Sequence, residues 1–186
     1  DRERIQSIVL DSLGNIYTAA YATSGSIYKG AYFISKYNKE GEFIRVYITP
    51  FLVETSHNSF HDSPLNLAVD SLDNIYMIGS AIDSETGADF LTIKFNFLLN
   101  VEWIRKYNNV DNGDDRPTSV AIDGNDNIYI SGGSSPTSFL AHYLTIKYNS
   151  SGDQQWVIHE PDSVGTTNDL FVKDTYFYVT GDKHDT

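Results

Sequence analysis

The chain has no cysteine among its 186 residues, so it has no disulfide framework, no thiolate metal site and no cysteine nucleophile. Basic residues are scarce: 13 lysines and arginines stand against 25 aspartates and glutamates, a net charge of −12. A surface of that sign repels phosphate backbones, and no basic stripe offers a local exception, so nucleic acid is excluded as the expected partner. No apolar run approaches the ~20 residues a membrane-crossing helix needs, and no membrane insertion is expected. The opening Asp1-Arg2-Glu3-Arg4 has none of the basic and apolar character of a secretory signal. The sequence also lacks a Gly-x-Ser-x-Gly elbow, a phosphate-cradling glycine loop and a dinucleotide fingerprint.

What the chain has in quantity is aromatic side chains, 13 Tyr and 10 Phe, a composition suited to pleated sheets. It also has internal repetition. Ile8-Val9-Leu10-Asp11-Ser12-Leu13-Gly14-Asn15-Ile16-Tyr17 returns as Leu67-Ala68-Val69-Asp70-Ser71-Leu72-Asp73-Asn74-Ile75-Tyr76. It returns again as Val120-Ala121-Ile122-Asp123-Gly124-Asn125-Asp126-Asn127-Ile128-Tyr129, and in degenerate form at Leu170 to Tyr178. A second block keeps the same phase: Phe33-Ile34-Ser35-Lys36-Tyr37-Asn38, Leu91-Thr92-Ile93-Lys94-Phe95-Asn96 and Leu144-Thr145-Ile146-Lys147-Tyr148-Asn149. Each second block leads to an aromatic-led segment, Phe43-Ile44, Trp103-Ile104 or Trp156-Val157. Spacings of this size are those of a repeat architecture.

Each unit reads as four short strands. Between the first and second, an aspartate at a strand end can accept the backbone N–H two residues on, and Gly, Asp or Asn then tolerates the left-handed conformation that reverses the chain. Asp11, Asp70 and Asp123 are therefore expected to be turn formers rather than calcium ligands. The second strand, as in Ile75-Tyr76-Met77-Ile78, is apolar on both sides of the pleat, so both faces must be buried. Gly79, Gly132 and Gly181 follow it at equivalent positions, where a missing side chain permits close backbone approach. Small sheets stacked between similar sheets, about fifty residues apart, are the pattern of β-propeller blades. The fold expected is all-β, with blades over about 5–64, 65–118 and 119–168 and a half blade over 169–186. Since closed propellers have ~4 to 8 blades, the chain is expected to be part of a larger ring.

The Asp-Ser-Leu-Gly-Asn-Ile-Tyr segment at 11–17, the Tyr-Leu-Thr-Ile-Lys-Tyr-Asn-Ser-Ser-Gly-Asp-Gln-Gln-Trp-Val run at 143–157 and Tyr178-Val179-Thr180-Gly181 resemble the bacterial β-propeller repeat family called SBBP. The resemblance extends from Ile5 to Gly181 and is most specific in the third copy. It implies an extracellular or cell-surface scaffold without an assigned catalytic residue. The fourth copy departs from the pattern, because its turn at Lys173-Asp174 is two residues shorter.

If strands alternate in direction, the turns within the first and second strand pairs share one rim, and the longer connections, expected as loops over about 22–30, 47–64, 80–89, 107–119, 133–142 and 160–169, share the other. Long connections on a rigid scaffold are where binding usually resides, so a protein or glycan partner is expected there. The open ends would meet the remaining blades of the ring or another copy of the chain. Two clusters on this rim are candidate metal sites. His57, His61 and Asp62 supply two imidazoles and a carboxylate, although His-x-x-x-His is a metal spacing only on a helix and Asn58, Ser59 and Pro64 indicate a loop. Asp111, Asp114 and Asp115 surround Gly113 with oxygens in a way that suits Ca²⁺ in outline. A carbohydrate-active enzyme is the alternative reading, and it would need rim carboxylates such as Asp62, Asp89 and Asp115 to converge across a substrate. Trp103 and Trp156, at equivalent strand positions, are expected to pack rather than to stack on sugars.

Overall fold

The computed structural model describes residues 2–24, 29–49, 66–83, 86–110, 112–135 and 141–182, and every regular element among them is a β-strand. Sheet A contains β1 (Arg2–Leu10), β2 (Ile16–Ser24), β3 (Lys29–Tyr37) and β4 (Phe43–Ile48). Sheet B contains β5 (Asn66–Val69), β6 (Ile75–Asp83), β7 (Gly87–Phe95) and β8 (Val101–Tyr107). Sheet C contains β9 (Asp114–Ile122), β10 (Ile128–Ser135), β11 (His142–Tyr148) and β12 (Gln154–Val164). A two-stranded sheet D follows, with β13 (Thr167–Lys173) and β14 (Tyr176–Gly181). Within each sheet the strands lie in sequence order and every neighbour is antiparallel.

The turns between first and second strands form as their aspartates require. Asp11 Oδ1 accepts the N–H groups of Leu13 and Asn15 at 3.0 and 2.8 Å, and Asp70 and Asp123 do the same for their own turns. The chain then reverses through a left-handed residue, Gly14 (φ 82°), Asp73 (φ 62°) or Asp126 (φ 60°). In sheet D the left-handed residue is Asp174 (φ 56°), consistent with its shorter turn.

Successive sheets pack face to face, and sheet B is buried on both sides. Its Ile75 and Met77 join Tyr17, Ala19, Tyr32 and Ile34 of sheet A in one apolar seam. The alternate residues Tyr76 and Ile78 join Ile128, Ile130, Leu144 and Ile146 of sheet C in a second. The continuous apolar run of the second strand is thus explained by the pleat, which sends successive side chains into two different interfaces. Gly132 leaves no room for a side chain: a Cβ there would overlap the Arg116 carbonyl oxygen of the neighbouring strand and press on the Phe90 ring of sheet B.

Two expectations need correction. Aligned by strand pairing, Lys36, Lys94 and Lys147 stand opposite Arg45, Trp103 and Trp156, so Arg45 and not Phe43 is the counterpart of the tryptophans. Spacing from the turn asparagine agrees, since Asn38, Asn96 and Asn149 each precede that residue by the same interval. Secondly, the long connections are largely strand. The segment 80–89 continues the β6–β7 ladder as far as the Asp83–Gly87 pair, and 160–169 is mostly β12 and β13, leaving 165–166 as the link. β9 likewise begins at Asp114, ahead of residue 119. Once the central register is set, each further backbone pair satisfies polar groups that a loop would leave to water, so pairing runs on to the next tight turn.

Candidate binding rim

The two ends of the stacked sheets differ in chemistry. At the turn end, one polar network is built three times. Tyr17, Tyr76 and Tyr129 donate their hydroxyls to Asp11, Asp70 and Asp123 at 3.1, 2.9 and 3.1 Å, and Asn15, Asn74 and Asn127 donate their side-chain amides to the same carboxylates. The amines of Lys36, Lys94 and Lys147 lie over the three tyrosine rings at 5.0, 5.5 and 4.7 Å. Burial alone would push the carboxyls of Asp11 and Asp123 up, yet the hydrogen bonds from Asn15 and Tyr17, and from Asn127 and Tyr129, hold both below the ordinary aspartate range. The Tyr17 and Tyr76 hydroxyls are pushed far up, first by burial and then by the neighbouring aspartate charge.

The same end ties each sheet to the next. Asp73 receives the backbone N–H and hydroxyl of Ser12 at 2.8 and 2.6 Å, and Asp126 receives those of Ser71 at 3.0 and 2.8 Å. Lys36 and Arg45 donate to the carbonyls of Phe97 and Leu98 in the β7–β8 turn. One sheet later, Lys94 and Trp103 both donate to the Ser150 carbonyl in the β11–β12 turn. The inter-sheet partners escape a reading of the sequence because they are mostly backbone carbonyls; only the recurrence of Ser12 with Asp73 and Ser71 with Asp126 was visible. The expected packing of the tryptophans is what the structure shows, with Trp103 between Tyr76 and Tyr148 and Trp156 against Tyr129 and Phe177.

At the opposite end, equivalent positions carry different residues. The cross-strand pair Ser134 and His142 of sheet C corresponds to Ala81 and Asp89 in sheet B and to Ala22 and Ala31 in sheet A. On the last strand, His159, Lys106 and Ile48 are equivalent, being paired with Leu144, Leu91 and Phe33.

Most of these polar residues are held by hydrogen bonds or ion pairs within this end. Asp89, fully buried, receives Lys106 Nζ at 2.6 Å and Thr86 Oγ1 at 2.8 Å. Asp115, also fully buried, stands beside Ser134 on the neighbouring strand and receives the Asn109 N–H at 2.6 Å. Asn109 donates its side-chain amide to Ser134 Oγ at 3.1 Å, and the Tyr107 hydroxyl meets His159 Nε2 at 3.3 Å. Burial pushes the Asp115 carboxyl up and the charge of Asp89 adds to this, against the hydrogen bonds from Ser134 and Asn109 and the pull of His159. Val110, next in the chain to Asn109, presents an apolar side chain 91% exposed.

Of the candidate calcium cluster, Asp111 lies outside the described residues. Asp115 is buried beside Ser134, whereas Asp114 is exposed and held by Arg116 at 2.9 Å and by the N–H of Ala88 at 3.1 Å. Burial pushes the Asp114 carboxyl up, and the Arg116 and Ala88 bonds outweigh it, so it is held below the ordinary range. The structure therefore brings Asp115 into the seam with sheet B and Asp114 to the surface. His57, His61 and Asp62 lie outside the described residues. Among the described residues no group of three or more His, Asp or Glu side chains is arranged to hold a metal ion.

The architecture defines an all-β protein made of stacked antiparallel sheets with an internal repeat. No protein-family model matches the chain, and no curated protein matches it. Among solved structures it is similar to the tail fibre of Staphylococcus aureus phage P68, at 14% identity and a TM-score of 0.29 over 90% of this chain. The chain spans 43% of that fibre chain.

Proposed function

We propose that the chain is a segment of a β-propeller, sheets A, B and C being blades and sheet D the first half of another. In this reading it is a non-catalytic extracellular or cell-surface scaffold that binds a protein or glycan at the end where the long connections lie. The observation that carries the binding role is the contrast between the two ends. The turn Asp, Asn, Tyr and Lys recur in sheets A, B and C, whereas Asp89, Lys106, Ser134, His142 and His159 differ from their counterparts and occur together at one end. A repeat constrains identity where sheets must join and leaves the remaining positions to serve a site. This end exposes apolar Val110 together with polar His159 and Asp114, the mixed apolar and polar character of a contact surface. Extracellular residence follows from the repeat-family resemblance.

The non-catalytic reading is supported by the burial of the carboxylates. Asp89 and Asp115 have no accessible surface, and Asp89 is neutralised by Lys106, so neither reaches a substrate in this conformation. The test is a glycan array probed with the labelled chain and with His159→Ala, Val110→Asp and Lys39→Ala variants of unchanged melting temperature. Binding that is lost in the first two and kept in Lys39→Ala, at the turn end, is the expected result. Loss in Lys39→Ala alone would place the site at the wrong end.

A further inference from the structure

The interface between successive sheets is so regular that an unfilled copy of it can be recognised. Sheet A donates Lys36 Nζ to the Phe97 carbonyl at 2.8 Å and Arg45 Nη1 to the Leu98 carbonyl at 2.8 Å. Sheet B donates Lys94 Nζ and Trp103 Nε1 to the Ser150 carbonyl, both at 3.1 Å. In each case the acceptor is the turn between the third and fourth strands of the following sheet. Sheet C presents the equivalent donors, Lys147 and Trp156, and it faces sheet D, whose described strands are a first and a second only. Among the described residues neither Lys147 Nζ nor Trp156 Nε1 has a carbonyl acceptor. Lys147 lies 3.7 Å from Asp123, as Lys36 lies 3.9 Å from Asp11, and its side chain is 20% exposed where those of Lys36 and Lys94 are 10% and 9%.

Sheet D is seated on sheet C as in the other interfaces. Phe177 of β14 stacks on Trp156 with ring centroids 5.3 Å apart, and Leu170 of β13 is buried. Among the described residues β14 pairs only with β13, and no described strand lies on the side that β2, β6 and β10 offer to their third strands. Open edges recruit strands through backbone hydrogen bonds.

We propose that the β14 edge and the Lys147–Trp156 pair together form a docking site for a β-hairpin of the same type as β11–β12. Its first strand would add antiparallel to β14, and its turn would turn two or three backbone carbonyls toward Lys147 and Trp156. A second copy of the chain, stacking its sheet A on sheet D, fits less well. The aspartate that receives the serine clamp in sheets B and C is Gly14 in sheet A, and a two-stranded sheet D leaves half of a four-stranded face uncovered. This site rests on the reading of sheet D as the first half of a blade and is independent of the binding proposed for the long-connection rim.

The test uses the whole chain and a fluorescein-labelled synthetic peptide of residues 141–160, read by fluorescence anisotropy and by hydrogen exchange of the β14 amides. Binding with slowed exchange in β14 is expected. Trp156→Phe, which keeps the ring on Phe177 and loses the N–H donor, should weaken binding about fivefold, and Lys147→Met about tenfold, as loss of a neutral and of a charged hydrogen bond implies. Ser12→Ala, at the far end, should leave it unchanged. The proposal is overturned by absence of binding up to about 1 mM peptide, the weak limit of specific association. Equal affinity for the wild type and both donor variants would also overturn it, as would a chain dimer that excludes the peptide.

Discussion

Removing the Asp123 carboxylate isolates the repeated turn network in one substitution. In Asp123→Ala, the N–H groups of Asn125 and Asn127, the Asn127 amide and the Tyr129 hydroxyl lose their acceptor, and Lys147 loses its counter-charge. Tyr129 is almost fully buried, so its hydroxyl cannot turn to water, whereas Asn125 is exposed and can. An orphaned buried donor costs about 1–3 kcal/mol, and with two such donors and partial rescue of the rest the variant should lose about 3–5 kcal/mol. Tyr129→Phe removes one donor together with its need and should lose only about 1 kcal/mol. Urea unfolding of both single variants and the double variant completes the cycle, in which Asp123→Ala should cost less once Tyr129 is already Phe. The pH dependence has a fixed sign. Because the folded state holds Asp123 and Asp11 below their ordinary range, their contribution is present above about pH 4 and is lost as pH falls through the lowered folded values. A loss below 1 kcal/mol for Asp123→Ala at pH 7, or additive single variants, would refute the network as a source of stability.

Asp115→Asn should behave in the opposite way. Its folded carboxyl is pushed up by burial and by Asp89, so the ionised form opposes folding, and the amide should raise the urea midpoint at pH 7 with the gain shrinking towards pH 4. Gly132→Ala should cost more than about 2 kcal/mol, because the added methyl meets backbone at Arg116 and cannot be relieved by a rotamer change. Leu99→Gly releases a left-handed leucine (φ 58°), worth about 1–2 kcal/mol, yet deletes a fully buried side chain worth more, so urea unfolding should show a net loss of about 2 kcal/mol.

Much of this architecture was legible in the residues because a repeat states its constraints several times. The alternation of Ile75, Tyr76, Met77 and Ile78, with no polar position, already required two buried faces. The recurrence of Asp11, Asp70 and Asp123 before a residue that tolerates positive φ marked the turns. Where the copies differ in spacing, reading by similarity failed: Phe43 resembles a tryptophan chemically, but the pairing of Lys36 with Arg45 decides the counterpart. The rim was misread as loop for a related reason. Asp83, Ser84, Glu85, Thr86 and Gly87 are turn-forming by composition, and only the pairing through Ala81–Asp89 and Ile82–Ala88 to Asp83–Gly87 shows how far the ladder runs.

The sequence by itself determined the strands, their turns, the repeated Asp–Asn–Tyr network and the face of each strand that is apolar, since these follow from periodicity and local hydrogen bonding within a few residues. Tertiary structure alone decided which carboxylates are neutralised, which lysines reach a carbonyl and that Asp115 is buried beside Ser134 while its neighbour Asp114 meets solvent. These relations join residues roughly 20 to 60 positions apart, and most run through backbone atoms that every residue possesses, so no side-chain pattern records them.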